Sequence, residues 1–175
     1  MNGISLNPIS SFNPTQVAPT IGGVTEADVA FRNRIIGNVT LGNTLAQLEL
    51  VMGVKDSIRA DEGTPFAFGT IRSMADRVTV HALVGSGVVA GNNNTFGTNV
   101  LIHGGADTGN NNAVQITLGS NITVGDDSVI FRSNIGDGVV IGKKVYIDNS
   151  QIAASSIIAD KSIIINNQFL GFVEW

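Results

Sequence analysis

The side chains suited to acid–base or metal chemistry are few in this chain. Its 175 residues include two histidines, His81 and His103, and no cysteine. Disulfides and thiolate metal sites are therefore excluded, and any such role falls to imidazole and carboxylate. A neutral imidazole can act as a metal ligand or as a general base near neutral pH. Upstream of His81 lies a polar segment, Ser57-Ile58-Arg59-Ala60-Asp61-Glu62-Gly63-Thr64-Pro65-Phe66, and Asp76 follows it. Arg59 and Asp61 carry the groups for a two-point ion pair. Glu62 is the candidate catalytic carboxylate, one that could handle a proton or water.

The elements that must position these residues show up as a six-residue period. Leu118, Val124 and Ile130 are six apart, and after a five-residue step so are Ile135, Ile141, Ile147, Ala153, Ala159 and Ile165. Phe68, Met74 and Val80 keep the phase, as do Ala90, Phe96, Ile102 and Thr108, while Ile36-Gly37 and Leu41-Gly42 read as the first rungs. A small or apolar residue recurs four places later, at Ile122, Ser128, Val139, Val145, Ile157 and Ile163. A helix would need spacings of three and four, and a lone strand would alternate by two. The period predicts an all-β, triangular parallel β-helix in which three hexads close one coil of 18 residues.

This register makes His81 and His103 informative. Each follows an inward residue, Val80 or Ile102, and so takes the second place of its hexad. Their 22-residue separation is one coil plus a short excursion within 82–89. The two imidazoles are expected at one corner of adjacent coils.

Composition agrees with short strands and tight turns. Hydrophobic residues make up 43% and aromatics only 6%, with 21 glycines. Charged residues are 14%, so part of the surface is expected to be covered by identical subunits. The net charge of −4 and the lack of a basic stripe argue against nucleic acid. No apolar run is long enough for a membrane span and no leader pattern opens the chain, so a cytoplasmic protein is expected. Residues 1–30 hold Pro8, Pro14 and Pro19 and read as an N-terminal arm and cap. The β-helix is expected over 31–168, followed by an aromatic-rich tail, 169–175, that covers the last coil or a neighbouring subunit. The Asn92–Asn94 and Asn110–Asn112 clusters read as left-handed corners, and residues 43–56 as a wider coil loop.

The segment from Ser57 to Phe66 resembles the signature of γ-class carbonic anhydrases, particularly those that form the N-terminal domain of carboxysome scaffold proteins. The likeness continues through Phe68-Gly69, Asp76 and Val80-His81-Ala82-Leu83. Further islands are Leu101-Ile102-His103-Gly104, Val124-Gly125-Asp126-Asp127-Ser128 and Ile164-Ile165-Asn166-Asn167-Gln168. The resemblance implies a left-handed β-helix, a homotrimer, and zinc held at each subunit interface by three histidines. It implies metal-ligand roles for His81 and His103, and a cross-subunit ion pair for Arg59 and Asp61, with Asp76 also at the interface.

The chain departs from that pattern at several places. Thr98 stands where the family has its third histidine, and a threonine hydroxyl is a poor zinc ligand. The polar pair of the signature is Ser73 and Ala75, and the acidic residue after the first histidine is Val84. The resemblance thus implies a degenerate zinc site with little or no CO2 hydration. Alternatives are an active divergent zinc enzyme acting on CO2 or bicarbonate, or a scaffold subunit of a carboxysome-type assembly. That subunit could pair with an active paralogue, which would lend the missing histidine. Acyl transfer with a base histidine is a weaker alternative.

Overall fold

The computed structural model describes residues 32–61, 64–83, 86–107 and 112–174, and the expected N-terminal arm lies outside them. Three stacked sheets built mainly of parallel strands, one of eight strands and two of five, dominate the described residues, joined in turn by tight corners. The chain visits the three faces cyclically, so each strand pairs with its equivalents one coil before and one coil after. This is an all-β parallel β-helix. Val, Ile and Phe fill its interior: Ile58, Val80, Ile102, Ile130 and Ile147 are stacked register partners and fully buried. No helix among the described residues is long and apolar enough to cross a membrane.

The coil is 17 residues, not 18. Ile130, Ile147 and Ile164 are partners, as are Leu118, Ile135 and Ile152. After Ile130 the corner leaving the eight-stranded sheet takes five residues, and the same five-residue step recurs after Ile147. The inward residues of the last coil are therefore Ile152, Ile158 and Ile164, in place of the expected Ala153, Ala159 and Ile165. Because side chains alternate between faces, this slip of one residue turns Ile157 outward, where it is 80% exposed. The same slip at the start puts Ile35 inside and Ile36 outside.

Close packing of coils explains the aliphatic–Gly pairs. On the two five-stranded faces the residue after the inward one lies against the backbone of the next coil. A Cβ on Gly125 would sit 2.5 Å from Gly142 O, and one on Gly136 would sit 2.5 Å from Ala154 N. On the eight-stranded face the same place holds Ile36, Arg59, His81, His103, Phe131, Asp148 and Ile165 in one outward column. Only this face has room there for large side chains.

Excursions interrupt the coils at particular corners. Ala82 to Val88, and the antiparallel strands Gly105–Asp107 and Asn112–Val114, both leave the corner that follows this column. Asn112 therefore lies in an excursion strand, whereas Asn93 takes the expected left-handed corner at φ 60. Asn94 instead turns inward, bonding Gly119 O at 2.9 Å and Ile122 N at 2.8 Å across coils. Within 43–56 the expected wider loop is a helix, Leu45–Val51. Thr44 caps it: its hydroxyl accepts from Gln47 N, and Gln47 Oε1 accepts from Thr44 N.

Candidate functional site

The outward column brings together several of the residues singled out in the sequence. Arg59, His81 and His103 are direct register partners on consecutive strands, which neighbour one another at about 4.8 Å in a sheet. The His81 and His103 rings meet edge to face with centroids 4.8 Å apart. The His103 ring packs on Phe131 at 5.1 Å, one coil further on. Asp148 closes the column, held by Arg132 Nε at 2.8 Å and Nη2 at 2.7 Å.

Asp61 reaches this column from just beyond strand Ser57–Ala60. His81 Nε2 lies 3.2 Å from Asp61 Oδ1, and Arg59 Nη2 lies 2.9 Å from the same oxygen. The imidazole hydrogen bond, then the guanidinium, hold the Asp61 carboxyl below its ordinary range. An ionised Asp61 can only accept, so the hydrogen of this bond belongs to His81 Nε2. His103 bonds through Nδ1 to the carbonyl of Gly104, which leaves its Nε2 free of that contact. Burial first, and the neighbouring His81 charge next, hold the His103 pKa down, against the Gly104 bond that raises it.

Other predicted residues fall elsewhere. Thr98 and Asp76 occupy the corner that precedes the eight-stranded face, whereas His81 and His103 lie within strands Thr79–Ala82 and Leu101–His103 of it. Thr98 is built into the corner: its N–H donates to Asp126 Oδ1 at 2.9 Å, and its carbonyl accepts from Asp127 N. Asp76 Oδ1 accepts from Val54 N at 3.0 Å. Glu62 and Val84 lie outside the described residues. Phe131 and Arg132 fall in a further island of the γ-class resemblance, Phe131-Arg132-Ser133, which implies no functional role for them, and no sequence signal marks Asp148. Their offsets of 28 and 45 residues from His103 place Phe131 and Asp148 in its column, but only once the hairpin and the 17-residue coil are known.

Two imidazoles sharing a tetrahedral ion lie roughly 5 Å apart, given Zn–N distances of about 2.0–2.1 Å, so the His81–His103 pair is suitably spaced. The donor set falls short, however. A catalytic zinc takes three protein ligands, and no group of three His, Cys, Asp or Glu among the described residues could hold an ion. Thr98, at the implied third position, offers only a hydroxyl. The site as built is an imidazole pair braced by a carboxylate and an arginine.

Comparison with known proteins gives one informative match. The chain is 27% identical over 146 residues to the carboxysome assembly protein CcmM of Nostoc sp. (strain PCC 7120), a stretch covering 78% of this chain. It spans about a quarter of the length of that curated relative, 24%. No protein-family profile matches the chain, and no solved structure matches it.

Proposed function

We propose that this chain is a carbonic-anhydrase-like β-helix that serves in a carboxysome-type assembly, as a homotrimer, with a zinc site that no longer supports CO2 hydration. Three things support the assembly role: the likeness to an assembly protein, the parallel β-helix, and the apolar outer face of the eight-stranded sheet. On that face Leu101, Val129, Tyr146 and Ile163 run beside the histidine column. A homotrimer with a left-handed coil is the form that the γ-class resemblance implies. In it the corner carrying Thr98 would face the histidines of a neighbouring subunit.

The observation that carries the loss of catalysis is the state of the three ligand positions. One is a threonine whose backbone is bonded into its corner and whose hydroxyl is a poor zinc ligand, so only two imidazoles remain. Two imidazoles hold zinc weakly, because affinity depends on ligand number and on the groups that orient the ligands. The spacing of His81 and His103 favours a second reading, a mixed trimer with an active paralogue that supplies the absent histidine. Either reading places the protein in the cytoplasm, within or on a carboxysome-like particle.

The test is CO2 hydration by purified protein, alone and as Thr98→His, with zinc supplied. The parent is expected at the uncatalysed rate. Thr98→His should bind zinc at least on the order of tenfold more tightly. Zinc-dependent hydration by the parent alone would refute the lost-site reading.

A further inference from the structure

The eight-stranded sheet continues beyond the last coil. Gln168–Phe172 turns back antiparallel on Ser162–Ile165 and becomes the sheet's final strand. Its register shifts between Ile163 and Ile164, Gly171 takes φ 123, and Leu170 is the one strand residue without a register partner. Such a bulge resets the alternation of side chains. Phe169 therefore opposes Ile164 and Phe172 opposes Ser162, the two residues of the last coil's strand that turn inward.

Opposed residues point to the same side of a sheet, so both phenylalanines lie on the interior side, above the last coil. Their rings meet edge to face at 5.1 Å. Yet Phe169 is 58% exposed, Phe172 56% and Leu170 57%. Below them Ile158 and Ile164 are only partly buried, whereas the inner residues of the middle coils are covered by the next coil. From Ser162 to Val173 there is no charged residue, although exposed edge strands ordinarily carry charge that blocks pairing.

We propose that this end of the β-helix docks on the same end of a second copy, the two Gln168–Phe172 strands pairing antiparallel across a two-fold axis near Leu170. A single edge strand can pair antiparallel with its own copy across a two-fold axis. The absence of charge over Ser162–Val173 means that self-pairing opposes no like charges. Two half-exposed phenylalanines and a leucine present roughly 300 Å² per copy, given full areas of about 150–250 Å² for each ring. Two copies thus remove roughly 600 Å² through three side chains each, a little over a third of a standard interface of about 1,600 Å² before the backbone and the isoleucines are counted. The histidine column lies on earlier coils, so the docking is independent of the proposed function. It would double a trimer to six chains or a monomer to two.

The chain has no cysteine, so Leu170→Cys introduces a single thiol. Two-fold pairing sets that thiol opposite its own mate, with Cβ atoms about 4.5–5.5 Å apart, close enough to bridge with small adjustment. Mild oxidation is expected to convert most Leu170→Cys chains into disulfide dimers. Leu50→Cys, on the helix near the first coil and 87% exposed, should stay unbridged. Light scattering at matched concentration should give Leu170→Lys half the mass of the parent, with an unchanged melting curve by circular dichroism. Equal masses, or no more bridging at position 170 than at position 50, would overturn the proposal.

Discussion

Asp56 shows how a single buried group sets a pH response in this fold. It is 1% exposed and stands in the inward corner position that Val78, Val100 and Ser128 take in later coils. Its Oδ1 accepts from Val78 N at 2.8 Å, its own N–H donates to Asn33 Oδ1, and its Oδ2 is buried without a hydrogen-bond partner. Burial first, and the nearby Asp76 charge, push its pKa from 3.8 to about 6, against the Val78 bond and Arg32. A raised carboxyl pKa means that the native state binds the proton more tightly. Its stabilising contribution is full below about pH 3.8 and is lost as pH rises through about 6. His103 acts in the opposite sense: its lowered pKa gives stability that is present above 6.5 and lost as pH falls. Comparing Asp56→Asn with the parent removes the His103 contribution. Urea unfolding should show the variant gaining on the parent by up to about 3 kcal/mol between pH 4 and 6, and no further above. Parallel pH curves would contradict the assignment. Sequence alone does not reveal Asp56, because an aspartate before a strand reads as an ordinary turn until the corner register is known. His81 and His103 were legible because each directly follows an inward aliphatic residue.

At the scale of the strand and its corner, the sequence speaks through its glycines. The aliphatic–Gly pairs mark two faces where coils touch backbone to backbone, and the third face is left to carry side chains. The prediction is that Gly125→Ala costs about 2–4 kcal/mol by thermal or urea unfolding, since backbone atoms of Gly142 and Lys143 cannot retreat from a methyl group. Thr123→Val, on the exposed side of the same strand, should change stability by less than about 0.5 kcal/mol. The six-residue period therefore conveyed the faces but not the coil length. A five-residue corner keeps the spacing locally and moves the phase by one, which is how Ala153 and Ala159 come to look like inward residues. The helix Leu45–Val51 and the strand pair after His103 were not legible from the period, because neither repeats. The Thr44–Gln47 cap was the one local signal for the helix.

For the whole molecule, two features define what the chain can do. One is a solenoid whose outer column gathers Arg59, His81, His103, Phe131 and Asp148 on a single face. The other is an open apolar end where coils would otherwise continue. On the proposed reading both serve contact with further copies, in keeping with the likeness to a carboxysome assembly protein, and the imidazole pair is what remains of a metal site. The most direct measurement is the zinc content of the purified, assembled protein by elemental mass spectrometry after equilibration with zinc and removal of loosely held ions. The account predicts well under one zinc per chain, rising toward one in Thr98→His. One tightly held zinc per chain in the unmodified protein would contradict it.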